Sequence, residues 1–315
     1  MKKIGILRGM ESSFPEALID HINAEYVNKK VNASFVSIDT VRMDGDPDYD
    51  VIIDRISHEV SFYRSYLKWA SMKGTYVINN PFWWSADDKF IDNLIAEKAG
   101  VAVPRTAILP HKDHPPNTKS NSFRNLKYPI DWESVFEYIG FPAYLKPHDG
   151  GGWRGVSKVR SALEFFKAYD DSGTDCMMLQ EDIDFESYYR CYCIGRKDVH
   201  VMPYNPKAEH HLRYASVRDE AIPPKLKKKI TKDVLALCNT LGYDMNTVEF
   251  AVRDGVPYAI DFMNPAPDAD FNSVGKENFD WVVKSTAKFA VAKALEKRAA
   301  YPDFDLNRAL GKNAG

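Results

Sequence analysis

The sequence predicts an α/β protein whose N-terminal part is built on a parallel sheet. Two observations predict this fold class: short apolar runs of strand length alternate with amphipathic helical patterns, and no internal repeats interrupt that alternation. Strands that alternate with helices form parallel sheets covered on both faces. A chain of 315 residues can also bury a sizeable core, and its length suggests two or three domains.

The first elements predicted along the chain are four strands and two helices. The strands are expected at 3–7, 31–38, 49–54 and 76–79, with a helix after Ser12 or Ser13 and another over 61–72 that stops at Gly74. Sites in parallel sheets lie at the carboxyl ends of the strands. That rule predicts a rim formed by Arg8, Glu11, Arg55, Ser57, Asn79 and Asn80.

Composition excludes several functional classes. The formal net charge of -2 gives no reason to expect nucleic acid or an anionic membrane as partner. No apolar stretch approaches bilayer length, and the N-terminal segment is too short and polar for a signal peptide, so a cytoplasmic protein is expected. The four cysteines lack metal-binding spacing and are expected to be buried free thiols.

The most informative segment is Ala143–Val156, in which a short apolar run contains Lys146 and is followed by a cluster of glycines. A lysine beside a glycine-rich loop is typical of phosphate binding, because glycines let backbone N–H groups turn toward an anion. A plain glycine-rich hairpin with an incidental lysine is the alternative. The spacing G-x-G-x-x-G also occurs here, but a strand-like stretch follows it, which argues against a dinucleotide fold. No P-loop sequence occurs.

A second module is predicted to begin with a capping box at residues 85–88, which starts a helix ending at Gly100. Lys89 would lie in the first turn of this helix, where negative groups are normally favoured. A polyphosphate at that helix end would explain the lysine. Alternatively, Lys89 pairs with Asp87 or Asp92.

The C-terminal half supplies further parts of a nucleotide site. The strand 177–183 has the character of an edge that could pair with adenine, and alternation in 188–195 turns Arg190, Tyr192 and Ile194 toward one face. A predicted hairpin carries Glu249, Asp261 and Asn264, whose oxygen atoms suit Mg²⁺. The alternative is that these acids are simply solvated. It is disfavoured because Glu249 and Asp261 occur in otherwise apolar strands, where an unpaired charge is costly.

In the order of these parts the chain resembles the ATP-grasp superfamily, and within it the glutathione synthetase and ribosomal-protein glutamate ligase branch. The residues that carry the resemblance are Asp50–Ser57, Asp88-Lys89, Ala99–Pro104, Leu145–Pro147 with the glycine loop, and Leu179–Ile183. The resemblance implies an ATP-grasp fold with an N-terminal parallel-sheet domain. The implied domains are 1–84 on the substrate side, 85–178 as the central lid, and 179–315 with the metal ligands.

The resemblance also implies roles for individual residues. The implied phosphate and adenine contacts are Lys89, Lys146, Gly150, Gly151, Gly152, Gly155, Gln180, Glu181 and Ile183, with Glu186 near the ribose. Arg190 and Arg213 would face the transferred phosphate and acyl group. Glu249, Asp261 and Asn264 would bind two Mg²⁺ ions.

Three departures from the family pattern affect these roles. Asp261 and Asn264 are separated by two residues, so a bulge is needed for both to reach one metal pair. Trp153 and Arg154 lie where the family more often has small or polar residues. Tyr188 occupies the position expected for the acid that binds ribose, which leaves Glu186 as a substitute. His210 and His211 are interpreted as surface or substrate contacts.

The implied activity is ATP-dependent ligation of a small carboxylate, through an acyl phosphate, to an amine or thiol, with an amino acid or peptide as a candidate substrate. Two alternatives remain open: a kinase on the same fold, and a non-catalytic ATP-binding module. The predicted metal ligands argue against the second alternative. The sequence leaves the substrates and a homo-oligomeric state undetermined.

Overall fold

The computed structural model describes residues 1–82, 88–151, 154–209, 212–217 and 220–296. These residues form three four-stranded sheets flanked by helices. The strands are β1 (Lys2–Leu7), β2 (Val31–Phe35), β3 (Val51–Asp54), β4 (Tyr76–Ile78), β5 (Thr106–Ile108), β6 (Ala143–Pro147), β7 (Ser157–Val159), β8 (Met177–Glu181), β9 (Ser187–Ile194), β10 (Asp198–Pro203), β11 (Met245–Arg253) and β12 (Val256–Asp261). The helices are α1 (Ser13–Glu25), α2 (Ser61–Met72), α3 (Lys89–Lys98), α4 (Trp132–Ile139), α5 (Ala162–Asp171), α6 (Pro224–Leu241), α7 (Phe271–Val274) and α8 (Lys276–Leu295).

The N-terminal sheet is parallel, with the strand order β2-β1-β3-β4, as the alternation of strands and helices predicts. One face packs against α1 and α8, and the other packs against α2. Helix α2 has the predicted bounds, whereas β2 ends at Phe35 instead of Ile38. The last residue pair of β1 and β2 is Ile6 with Phe35, so β2 stops where its partner strand ends.

The other two sheets are antiparallel. The middle sheet has the order β5-β8-β6-β7, with α4 and α5 supplying an aromatic core beneath it. The C-terminal sheet has the order β10-β9-β11-β12. Cys191, Cys193 and Cys238 are buried free thiols in its core, as expected, whereas Cys176 is only half-buried.

Strand pairing changes the expected domain limits in two places. The predicted boundary at 178/179 falls inside β8, which pairs with β5 and β6, so the middle sheet continues to Glu181. Helix α3 was assigned to the middle domain, but Ile95 and Ala96 lie in the core beneath the C-terminal sheet. The backbone N–H of Ala259 also donates to the carbonyl of Ala102 at 2.8 Å.

The N-terminal cap of α3 is Asp88, because its carboxylate accepts from the backbone N–H of Ile91. Residues 85–87 of the predicted capping box lie outside the described residues.

The N-terminal and C-terminal sheets share one hydrophobic core. Apolar residues of β1, α1 and α8 pack together with Tyr192 and Ile194 of β9. Asn79, at the end of β4, accepts from the backbone N–H groups of Asp244 and Met245 and donates to the Met245 carbonyl. This continuous packing fixes the rim of the N-terminal sheet against the C-terminal sheet. Among the described helices, none is long and apolar enough to cross a membrane.

Candidate functional site

Two adjoining cavities lie over the C-terminal sheet. We call the first the lysine cavity; it lies between the middle and C-terminal sheets and is lined by Lys89, Lys146, Gly150, Gly151, Gln180 and Ile183, among others. We call the second the arginine cavity; it faces the N-terminal sheet and is lined by Glu11, Arg55, Arg190, Arg213 and Asn264, among others. Glu249 and Asp261 line both cavities. The two cavities therefore meet at this pair of carboxylates.

The lysine cavity carries two ammonium groups in different electrostatic settings. Lys89 Nζ lies 2.6 Å from Asp261 Oδ1. Burial lowers the pKa of Lys89, but the nearby carboxylates of Asp261, Asp92 and Glu249 together raise it above its ordinary value. Lys146 Nζ instead donates to the neutral Gln180 Oε1 at 2.8 Å, and burial lowers the pKa of Lys146 to about 8. The alternative prediction had Lys89 paired with Asp87 or Asp92; the structure pairs it with Asp261, although Asp92 also raises the Lys89 pKa, and Asp87 lies outside the described residues. Both lysines can reach an anion in this cavity.

The carboxylates stand in a row of charges across three neighbouring strands. Glu249 on β11 is directly opposite Arg190 on β9 and Asp261 on β12. Arg190 Nε lies 3.5 Å from Glu249 Oε1, so the row begins with a cation and continues with two acids. Burial raises the pKa of Glu249. Burial also opposes ionisation of Asp261, but Lys89, Lys146 and Arg190 together outweigh it, so the Asp261 pKa is lowered.

An irregularity in the hairpin sets the position of the third predicted metal ligand. Glu249 pairs with Asp261 and Phe250 pairs with Ala259, so Ile260 is the extra residue of a bulge. This bulge lies before Asp261, whereas the predicted bulge was expected between Asp261 and Asn264. Met263 has a φ of 69°, and the turned chain then brings Asn264 to the arginine cavity.

The arginine cavity contains two guanidinium groups of different character. Arg190 is buried, donates to the Tyr214 hydroxyl at 3.1 Å and leaves its Nε without a hydrogen bond. Arg213 donates to the Ala208 carbonyl and the Tyr204 hydroxyl, and no ion pair to a described carboxylate is found for it. A guanidinium group with no ion pair among the described residues, next to acids that are themselves paired, favours an anionic ligand.

Residues of β8 and of the segment after it line the lysine cavity, but some of their side chains already make hydrogen bonds or ion pairs within the protein. Gln180 is committed to Lys146 and to the Thr106 hydroxyl, and the Glu181 carboxylate is bound by Arg105 and Arg253. Ile183 is buried and supplies an apolar wall. The strand is not the predicted edge, because β8 pairs with β5 on one side and with β6 on the other. An adenine slot formed here would therefore use apolar contact and the residues that follow the strand.

Glu186 is not brought to the cavity, contrary to the expectation that it contacts ribose. Its carboxylate is exposed and accepts from the backbone N–H of Asp254, in the turn between β11 and β12. Glu186 precedes the first residue of β9, Ser187, and its carboxylate is held at the turn between β11 and β12, whereas Tyr188 within the strand lines the cavity.

The glycine loop closes one side of the lysine cavity. Gly150 and Gly151 line the cavity, and Arg154 lines it as well. Position 155 requires glycine, because its φ is 67° and a Cβ atom there would come within 3.0 Å of the Pro147 side chain. Gly152 and Trp153, together with His210 and His211, lie outside the described residues.

Only part of the predicted N-terminal rim faces the arginine cavity. Arg55 and Glu11 line it. The Arg55 guanidinium group donates two hydrogen bonds to the Glu11 carboxylate, from Nε to Oε1 and from Nη2 to Oε2. Arg55 Nη2 also donates to the Pro267 carbonyl at 2.6 Å, which ties the rim to the loop after Asn264. Ser57 instead pairs with Asp54, and Arg8 lies near Glu16. Three tyrosine hydroxyls that hydrogen-bond to the charged groups of the site were not predicted: those of Tyr188, Tyr204 and Tyr214. The only sequence signal is strand alternation, which places Tyr188 on the same face as Arg190.

Two antiparallel sheets that enclose a lysine-lined cavity, with acids at its end, define the ATP-grasp fold. No protein-family model matches the chain. D-alanine–D-alanine ligase of Bacillus anthracis, in a crystal structure with ATP, superimposes with a TM-score of 0.62 at 16% identity, covering 94% of this chain and 97% of that one. A RimK-domain ATP-grasp protein from Sphaerobacter thermophilus superimposes with a TM-score of 0.64 at 16% identity, covering 92% of this chain and 99% of that one.

In sequence, the chain is 26% identical over 164 residues to D-alanine–D-alanine ligase of Clostridium botulinum, covering 46% of this chain and 51% of that ligase. The chain thus spans about half the length of the curated relative that it matches. The predicted ATP-grasp fold is confirmed. The narrower assignment to a glutathione synthetase-like branch stays a prediction, because the matches include both D-alanine ligases and a RimK-domain protein.

Proposed function

We propose that the chain is an ATP-dependent ligase that joins a small carboxylate to an amine through an acyl phosphate. The observation that carries the proposal is the junction of the two cavities at Glu249 and Asp261. A nucleotide in the lysine cavity would direct its terminal phosphate to this junction, and a carboxylate in the arginine cavity would approach it from the other side. The names of the ligases similar to this chain support the same reaction class.

The chain's own residues have separate tasks in this reaction. Lys89 and Lys146 would hold the phosphate chain, while Gly150 and Gly151 would cover it and exclude water, which matters because acyl phosphates hydrolyse. Arg213, which makes no ion pair with a described carboxylate, would orient the substrate carboxylate, and Arg190 would stabilise charge that develops on the acyl group.

Mg²⁺ fits the acidic end of the two cavities. Glu249 and Asp261 offer only oxygen atoms, which hard cations prefer, and Asn264 lines the arginine cavity beside them. The described residues hold no group of three His, Cys, Asp or Glu side chains suited to a metal, so an amide or phosphate oxygen must complete the set. When bound, the metal would neutralise phosphate charge and polarise the phosphoryl group.

The nature of the partner molecules follows from the arginine cavity. Its guanidinium groups suit a carboxylate, and D-alanine–D-alanine ligases, which are similar to this chain, act on an amino acid. We therefore propose an amino acid or short peptide as substrate. An ADP-release screen with ATP, Mg²⁺ and a panel of D- and L-amino acids and dipeptides would identify it.

Oxygen-labelled substrate tests the acyl phosphate directly. If the carboxylate attacks the terminal phosphate and the amine then displaces it, one labelled carboxylate oxygen must appear in the released inorganic phosphate. We expect mass spectrometry to find one label per phosphate released. Unlabelled phosphate, or a stable phosphorylated product formed without amine, would reject ligation and favour a kinase on the same fold.

The lowered pKa of Lys146 predicts pH-dependent nucleotide binding. Because burial lowers the pKa of Lys146 to about 8, the free protein loses this charge as pH rises above 8, whereas a bound triphosphate selects the ammonium form. ATP affinity should therefore fall by up to roughly tenfold per pH unit above that value, and binding at pH 8.5 should take up a proton. Calorimetry in two buffers of different ionisation enthalpy measures the uptake. The Lys146→Arg variant is the control: it stays charged and should bind ATP without proton uptake.

A further inference from the structure

Tyr188 contacts both the nucleotide side and the acidic end of the site. It lies on β9, on the same face as Arg190, and it lines the lysine cavity. Its hydroxyl is buried and donates to Glu249 Oε2 at 2.6 Å.

The hydrogen bond of Tyr188 completes a clamp on Glu249. The other carboxylate oxygen, Oε1, lies 3.5 Å from Arg190 Nε, and Arg190 is itself held by the Tyr214 hydroxyl. Each oxygen of Glu249 therefore has its own partner, on the strand next to β11. Glu249 is thus restrained by a hydrogen bond at one oxygen and by an ion pair at the other, on the side of β11 away from Asp261.

A neighbouring tyrosine shows how a buried hydroxyl can be satisfied without a carboxylate. Tyr192, four residues further along the same face of β9, donates to the backbone carbonyl of Asp268. Tyr188 instead bonds to an acid that lines both cavities. Hydrogen-bond partners of metal-binding carboxylates set ligand orientation, and their loss typically costs about 10–100-fold in metal affinity or activity.

We infer that Tyr188 is a positioning residue that orients Glu249 for the divalent metal while its ring forms part of the nucleotide cavity. The inference rests on the proposed function, because it requires Glu249 to bind a metal. Tyr188 thereby connects the wall that contacts the nucleotide to the carboxylate that contacts the metal. It would do so without touching the reacting atoms.

The test is the Tyr188→Phe variant, which removes the hydroxyl and keeps the ring. Mn²⁺ is titrated by electron paramagnetic resonance into the full chain saturated with a non-hydrolysable ATP analogue. We expect Mn²⁺ to bind the variant about 10–100-fold more weakly than it binds the wild type. The Mg²⁺ concentration for half-maximal turnover should rise in parallel, while kcat at saturating Mg²⁺ recovers toward the wild-type value. Tyr192→Phe, which loses a buried hydroxyl on the same strand, should change neither quantity.

Other outcomes overturn the inference in distinguishable ways. Equal Mn²⁺ affinity in wild type and Tyr188→Phe would show that the hydroxyl does not position Glu249, with the proposed function intact. An equal loss of metal-free analogue binding and of Mn²⁺ binding would show that Tyr188 acts only as a cavity wall. Failure of the wild type itself to bind Mn²⁺ would overturn the metal role in the proposed function, and this inference with it. Thermal unfolding of both variants checks that each is folded.

Discussion

Neutralising Asp261 should abolish metal-dependent turnover while leaving metal-free nucleotide binding intact or stronger. The Asp261→Asn variant keeps the shape of the side chain but removes one of the two carboxylates at the junction of the cavities. It also frees Lys89, whose ammonium group lies 2.6 Å from Asp261, to act on phosphate alone. Because the loss of a partner in the second coordination sphere already costs about 10–100-fold, we expect loss of a direct ligand to reduce kcat by more than about 100-fold.

The measurement separates turnover from binding. ADP release at saturating Mg²⁺ reports kcat, and calorimetry with ATP in the presence of a chelator reports metal-free affinity. Glu249→Gln should show the same loss of turnover. Asp198→Asn, which removes an exposed carboxylate paired with Lys288, is the matched control and should leave both quantities unchanged. Normal turnover of Asp261→Asn at limiting Mg²⁺ would contradict the assignment of this acid to the metal.

Removal of Arg213 should slow the chemical step with little change in ATP affinity. Arg213 lines the arginine cavity and not the lysine cavity, and it has no ion pair with a described carboxylate. Loss of a preorganised donor at a position where negative charge develops costs on the order of 100- to 1,000-fold in kcat. Arg213→Ala should show a loss of this size in single-turnover experiments, with ATP affinity by calorimetry within about twofold of wild type.

Arg213 is a cleaner probe than Arg190, because Arg190 is buried and also holds Glu249 and Tyr214. Arg42→Ala, which removes an exposed arginine paired with Asp44, is the control and should behave as the wild type. A parallel loss of ATP affinity in Arg213→Ala would place this residue with the nucleotide and contradict its assignment to the substrate.

The sequence alone determined the features that depend on local order. Alternation of apolar runs and helical patterns predicted the parallel N-terminal sheet, and the bounds of α2 were predicted to the residue. Lys146 at a strand end and Lys89 at a helix start were predicted to face one anion, and the structure brings both to one cavity. Alternation along β9 likewise predicted that Arg190, Tyr192 and Ile194 share a face, because side chains on a strand alternate between its two faces.

Tertiary structure decided the features that depend on partners distant in the chain. Glu186 turns to the Asp254 backbone, Gln180 is engaged by Lys146, and Glu11 is engaged by Arg55, and no local pattern specifies any of these contacts. The limit of the middle sheet and the packing of α3 follow from strand pairing and shared cores. Tyr188 reaches Glu249 only because β9 and β11, separated by more than fifty residues along the chain, pair in one register. A hydrogen bond forms only when its donor and acceptor lie about 3 Å apart, and for groups distant in the chain that distance is set only when the sheets are assembled.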